Sequence, residues 1–472
     1  MSLAIFIIIS ILLILSIIIK PKIWKLDTYV LIAIIGALLM IIFRQINFDD
    51  IVNLLFKNNT ISPLKILILF ITMTFISIVC DNLNIFKYIA YKSVNLSKNN
   101  QFLLFTILHF LISVLTIFTS NDIIILTFTP FIIFFTKRAN INPLPYLICE
   151  FVAANTSSMT LLVGNPTNIL LSLSNNISFI EYFKNMWLIA LVTTIALYLL
   201  LILMFNKKLK EPMNIDNNAE IEKLNKPLVI IALAHLILST ILLAISNYIN
   251  LEMYLITSVL ALSLLIILII YTLITKKEKK VIYFSVRRLP YSLIPFLISM
   301  FILVEALNKG GYTKQFCDIL ENTHPVYGYG MSSYLFSNVM NNIPASLLHS
   351  NILQYTSNTK SVYAAIIGSN IGAYLTPLGA LAGIMWLNIL KTYGYKMRFI
   401  DFIKYGLPLS LFAMLTSLTI LFLIWRLFVI FFYSSSFTII LKWQSLSSRY
   451  NIIFLYGFIK GNVNVWLHIE NS

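Results

Sequence analysis

EFVAANTSSMTLLVGNPTNILLS (residues 150–172) is an apolar stretch interrupted at Gly-Asn-Pro-Thr-Asn. Gly164 brings backbone freedom and Pro166 removes an N–H, so residues 164–168 cannot continue a regular helix. Backbone at membrane depth leaves helical geometry only where protein or a water-filled cavity satisfies its N–H and C=O groups. The segment 143–173 is therefore expected to be a crossing unwound in its middle. Its freed carbonyls, with the amides of Asn155, Asn165 and Asn168 and the hydroxyl of Thr167, turn toward a cavity or another polar tip.

Three other apolar stretches are interrupted in the same way. SNIGAYLTPLGALAG (369–383) carries Asn370 and then Thr376, Pro377 and Gly379, which predicts a second unwound crossing over 361–390. FTSNDIIILTFTPFI (118–132) sets Ser120, Asn121 and Asp122 between apolar arms, and YLFSNVMNNIPASLLHS (334–350) offers Ser337, Asn338, Asn341, Asn342 and Pro344. Both read as tips of re-entrant hairpins, over 101–137 and 326–360. A carboxylate at a membrane helix centre costs about 2.5–3.5 kcal/mol on insertion scales, so Asp122 is expected to have a purpose beyond capping.

The composition agrees: 59% of the 472 residues are hydrophobic and 11% charged, far from a water-soluble domain. Uninterrupted apolar runs at 2–19, 28–43, 63–80, 183–206, 227–248, 252–275, 289–307 and 405–432 are long enough, or nearly so, to be spans. Lys20, Pro21 and Lys22 after the first run look like a stop-transfer flank, not a cleavage site. The net charge of +16 would suggest nucleic acid in a soluble protein. With the N-terminus outside, however, twenty-three Lys and Arg before the C-terminal tail fall in inside loops and seven in outside ones, so the charge reports orientation. Cys80, Cys149 and Cys317 are scattered, which leaves no disulfide framework and no zinc site.

The hydrophilic interval KKLKEPMNIDNNAEIEKLNK (207–226) separates a first transmembrane repeat, 1–206, from a second, 227–432, with an atypical tail at 433–472. Each half carries plain spans, a polar-tipped hairpin, an interrupted crossing and a final span. Five crossings per half is an odd number, so the second half enters upside down. The expected fold is an all-α polytopic membrane protein of two inverted repeats, each with a re-entrant hairpin and an unwound helix, and with binding elements near the midplane. Asn155 and Gly164 are nine residues apart, as are Asn370 and Gly379, and Ser120-Asn121 finds its letters again in Ser337-Asn338.

SNDIIILTFTP, Gly-Asn-Pro-Thr-Asn, SNVMNNIPASLL and SNIGAYLTPLGALAGIMWLNIL resemble the ion transporter superfamily, most closely the arsenical pump membrane protein family, over roughly residues 25–430. The resemblance implies a secondary transporter of the plasma membrane. Its hairpin tips and unwound helices would form one central site, with Ser120, Asn121 and Gly164 on one side and Ser337, Asn338 and Gly379 on the other. It implies arsenite or antimonite efflux, with sodium/proton antiport or dicarboxylate-type organic-anion carriage as the alternative, and a small substrate plus a proton or sodium as partners. A separate ATPase subunit and a homodimer are compatible with it.

No Gly-x-x-x-x-Gly-Lys-Ser/Thr loop occurs, so the chain is not expected to be an ATP-hydrolysing enzyme, and no cofactor or metal is expected. Carboxylates suited to proton coupling are Asp122 first and Glu150 second; Asp81 and Glu305 sit near span ends. His109 reads as a packed neutral imidazole. Because the tail after about Tyr433 has no clean span and does not resemble the family's ending, deleting 436–472 should leave transport intact, and loss of efflux in that truncation would refute this.

Overall fold

Side-chain caps define several of the helix starts, including those at the polar breaks. Asn100, Ser120, Asn165, Ser178, Asn341 and Asn358 each accept a backbone N–H from the first turn that follows, at 3.1–3.4 Å, where the chain enters Gln101, Asn121, Pro166, Phe179, Asn342 and Thr359. In a computed structural model the described residues are 1–19, 22–23, 26–56, 63–213 and 224–450, with side chains described for all of these except 17–27 and 425–450. The chain divides into Met1–Leu421 and Phe422–Ser472, and the second unit is helical as far as Tyr450. The tail singled out at 433–472 lies outside the described side chains, and 214–223 of the linker lies outside the described residues.

The first half runs through helices Ser2–Ile19, Thr28–Ile42, Phe48–Phe56, Pro63–Asn82 and Ile85–Leu96. Next come a broken pair, Gln101–Phe118 with Asn121–Arg138 (hairpin 1), and a second broken pair, Leu144–Ser157 with Pro166–Leu173 (broken helix 1), before Phe179–Leu209. The second half repeats that order. Lys226–Ile245, Met253–Thr275, Lys279–Arg287, Leu293–Lys309 and Tyr312–Glu321 lead to Pro325–Met340 with Asn342–Ile352 (hairpin 2). Thr359–Gly372 with Leu381–Thr392 (broken helix 2) and the helix from Phe399 follow. Lys22–Ile23 and Leu26–Asp27 form a two-residue antiparallel pair.

The same exchange holds for packing. Thr28–Ile42 lies on Leu293–Lys309 as Met253–Thr275 lies on Pro63–Asn82, and Asn121–Arg138 lies on Leu381–Thr392 as Asn342–Ile352 lies on Pro166–Leu173. Among the described residues, six helices are long and apolar enough to cross a membrane singly. Leu293–Lys309 passes only with Tyr312–Glu321, beyond a 74° bend. Thr28–Ile42, fifteen residues long, rises only about 22 Å, short of a hydrocarbon core of about 30 Å. The apolar faces left exposed, such as Leu203, Ile230, Ile237, Val259 and Leu273, suit lipid as solvent.

The tightest crossing is between Pro325–Met340 and Thr359–Gly372, which touch backbone to backbone. A Cβ on Gly368 would sit 2.2 Å from the Gly330 carbonyl oxygen and 2.8 Å from the Tyr334 nitrogen. Small residues permit such approach where no hydrophobic drive exists between helices. Gly368→Ala should therefore lower stability in detergent by about 1–3 kcal/mol, read as a drop in melting temperature. An unchanged melt would show that the crossing is looser than described.

Candidate functional site

At broken helix 1 the Ser158 carbonyl faces the break, and the Leu161 carbonyl keeps one backbone donor, the Gly164 N–H at 3.1 Å. The Asn168 amide, returning from the helix that follows, donates to both, at 2.9 and 3.1 Å. That loop closes because residue 164 is glycine: a Cβ there would lie 2.2 Å from the Ser158 oxygen. Asn165 then caps the new helix, with Pro166 in the first-turn position that needs no N–H donor. Asn165, Thr167 and Asn168 are fully buried.

Broken helix 2 solves the same problem with a side chain from hairpin 2. The Asn338 amide donates to the Gly372 carbonyl at 3.1 Å, and its Oδ1 accepts from the Thr376 backbone N–H (3.1 Å) and hydroxyl (2.8 Å). Asn341 donates to the Leu378 carbonyl, and the Asn342 N–H donates to the Gly379 carbonyl at 2.9 Å. Gly379 is as cramped as Gly164, since its Cβ would fall 2.2 Å from the Gly372 oxygen.

Asn370 joins the two breaks. It donates to its own Ile366 carbonyl and to Asn168 Oδ1, and its Oδ1 accepts from Asn165 at 3.0 Å and Ser158 at 3.1 Å. Asn155, at the corresponding place in the first half, likewise donates to its i−4 carbonyl, at Phe151, while its Oδ1 accepts from Asn121 of hairpin 1 at 2.9 Å. A hydroxyl pair, Thr156 with Tyr374 at 3.2 Å, gives a further link between the broken helices. The result is a buried, uncharged assembly of amides and hydroxyls contributed by both halves. Asn121 Oδ1 and Thr167 Oγ1 are buried in it without a protein partner among the described residues.

Residues 11–362 match the family model described as "Citrate transporter" (CitMHS). The chain belongs to that family. It is similar to the arsenical pump membrane protein of Escherichia coli, 24% identical over 70% of this chain and 80% of the relative. The arsenical pump membrane protein of Yersinia enterocolitica is also 24% identical, over the same shares, and a 46 kDa membrane protein of Mycobacterium leprae is 22% identical over 80% of this chain and 90% of its own. This family member is a multi-pass membrane transporter of the plasma membrane.

Not every expected residue of this CitMHS chain sits where its letters suggested. Ser337 and Asn338 lie inside the first arm of hairpin 2, and the chain turns at Asn341, whose φ of 76° and ψ of 151° are neither helical nor extended. The structural counterpart of Ser120-Asn121 is thus Asn341-Asn342, and the expectation based on Ser337-Asn338 is corrected. Asn338 still reaches the second break, but as a clamp. Ser337 only returns its hydroxyl to the Ser333 carbonyl. Thr376, Pro377 and Gly379 line the second break and do not bond to Asn370.

Among the acids, Asp122 opens the second arm of hairpin 1, where the helix N-terminus favours negative charge. It has neither an ion pair nor a hydrogen bond among the described residues. Glu150 is fully buried and accepts from Thr129 at 2.8 Å, with its second oxygen unpartnered. Asp81 is fixed by Arg288 at 2.7 Å and Thr127 at 2.6 Å. His109 is a packed imidazole: Nε2 donates to the Thr194 carbonyl and Nδ1 accepts from Cys149.

Sequence reading missed Ser158, Thr156 and Tyr374. The available signal was helical spacing: Ser158 follows Asn155 by three and Tyr374 follows Asn370 by four, so each shares a face with its asparagine. A 440 Å³ cavity lined by Lys65, Leu173, Asn247 and Glu252 lies apart and shares with the cluster only the helix ending at Leu173. Replacing Asn370 by Ala leaves Asn165 and Asn168 short of a partner, at about 1–3 kcal/mol for each group left unpaired, while Ser158 keeps the Asn155 carbonyl. A large loss of stability and of transport is expected, with Asn370→Asp, which keeps both acceptor contacts, partly restoring them. Equal behaviour of the two variants in melting and uptake assays would refute the junction.

Proposed function

We propose that this transporter exports arsenite or antimonite across the plasma membrane, driven by an ion gradient and by alternating access of two inverted repeats, 1–206 and 227–432. The observation that carries the reading is the chemistry of the buried cluster. It offers amide and hydroxyl groups, and no Lys or Arg takes part in its hydrogen bonds among the described residues. Arsenous acid is largely a neutral trihydroxide near neutral pH, so donors and acceptors of this kind suffice to hold it. The unpartnered Asn121 Oδ1 and Thr167 Oγ1 support a solute bound there. The arsenical pump relatives point the same way.

Site and coupling residues divide as follows in this reading. Asn121, Asn155, Asn165, Thr167, Asn168 and Asn370 contact substrate or hold the groups that do. Ser120, Asn341 and Asn342 set the hairpin tips, while Asn338, Thr376, Pro377, Gly164, Pro166 and Gly379 shape the breaks. Asp122 carries the coupling proton or sodium, and Glu150 is the second candidate. The three cysteines support no thiolate site: each is buried in a different helix, with Cys149 against His109 and Cys317 against Tyr329.

An organic-anion carrier is the second reading, favoured by the helix N-termini that open at Pro166 and Asn342, since such termini attract carboxylates without any side-chain cation. The family description, citrate transporter, agrees with it. The two readings separate in an arsenite-sensitive host. Wild type should raise metalloid tolerance and lower cell arsenic, Asp122→Asn should lose at least about tenfold of the efflux rate, and the triple Cys→Ala variant should keep it. Unchanged tolerance with the wild type, alongside citrate uptake or sodium-dependent proton flux in vesicles, would sink the arsenite proposal.

A further inference from the structure

Two nine-residue helices occupy corresponding places in the two halves, Phe48–Phe56 before the third span of the first half and Lys279–Arg287 before that of the second. Each shows the same division of faces. In the first, Ile51 is buried while Phe48, Val52 and Phe56, four residues apart, are exposed, both Phe to more than 70%. In the second, Val281 and Ser285 are buried and Tyr283 and Phe284 are exposed. Positions 279, 280, 283, 284 and 287 make one stripe at helical spacing, so lysines, arginine and aromatic rings share the outward side.

The two helices differ in charge. The first carries Asp49 and Asp50, and Lys309 beside Asp50 holds its carboxyl below the ordinary carboxylate range. The second carries Lys279, Lys280 and Arg287, preceded by Lys276 and Lys277, and all five are exposed. The four lysines have no ion pair among the described residues. The acid within that run, Glu278, is turned to Asn225 at 3.1 Å. Loop charge assigns this second helix to the cytoplasmic face, where the leaflet is anionic.

The geometry points to Lys279–Arg287 as an interfacial helix that binds anionic lipid headgroups. Its lysines and Arg287 take headgroup phosphates while Tyr283, Phe284 and Val286 enter the boundary between headgroups and acyl chains. Its inward side is tied to the transport elements. Ser285 accepts from the Asn82 amide at 2.8 Å, and Arg288 donates to Asn82 and to Asp81, whose other oxygen accepts from Thr127 in hairpin 1. Lipid held on the outer stripe thereby fixes the end of the third span and the second arm of hairpin 1.

The three native cysteines are buried, so Phe284→Cys gives one accessible site for a spin label on the full chain, and Phe48→Cys gives the comparison on the opposite face. Both are reconstituted in phosphatidylcholine vesicles with and without phosphatidylglycerol. With phosphatidylglycerol, accessibility of the label at 284 to a water-soluble relaxant should fall about twofold or more, and the label at 48 should not respond. Adding Lys279→Gln, Lys280→Gln and Arg287→Gln should abolish the response at 284. The proposal is overturned if the 284 label reads the same in both vesicles, if the glutamine substitutions leave the response intact, or if inorganic phosphate reproduces it in phosphatidylcholine alone.

Discussion

A carbonyl at a helix break inside an apolar environment needs donors, and the rest of this molecule is arranged around two such breaks. At Ser158 and Leu161 the donor is Asn168, at Gly372 it is Asn338, and at Leu378 it is Asn341. Leu161 and Gly372 also keep one backbone donor each, from Gly164 and Leu375, whereas a buried carbonyl left with no donor would cost about 1–3 kcal/mol. A neutral amide suits the task because it brings two donors and an acceptor without the desolvation cost of a charge. Where the donor comes from another element, as Asn338 does, the break also becomes a joint between elements. That is how two locally irregular segments end up sharing one buried cluster through Asn370.

The breaks were readable because glycine and proline act on the backbone locally. Gly164, Pro166, Pro377 and Gly379 mark them in any tertiary setting, and the apolar runs between them fall within a few residues of the helices. Partner choice was not readable. Asn155 and Asn370 both bond their own i−4 carbonyl, yet one receives Asn121 and the other receives Asn165 and Ser158, which only the packing of distant segments determines. The tip of hairpin 2 was misplaced for a related reason. Ser-Asn occurs at 337–338 and Asn-Asn at 341–342, and nothing local says which asparagine takes the positive φ.

The short helices at 48–56 and 279–287 were invisible for a different reason. Nine residues give little more than two turns of periodicity, and their aromatic exposure looks like loop noise until the halves are compared. Comparison also explains the basic balance of the chain more fully than topology alone. Asp50 pairs with Lys309 and Arg288 pairs with Asp81, each pair joining the inter-span segment of one half to the end of the third span of the other.

The two pairs occupy equivalent places with opposite polarity. In the second half the segment between spans supplies the cation, and in the first half it supplies the acid. The cross-half ion pair reverses its sign between the two places, with the span ends supplying Asp81 in one and Lys309 in the other. An exposed surface pair would add little to stability, but Asp81 is 6% exposed and also holds Thr127, so losing Arg288 would leave a buried carboxylate against hairpin 1. The end of the third span and the footing of hairpin 1 thus depend on the same few charges.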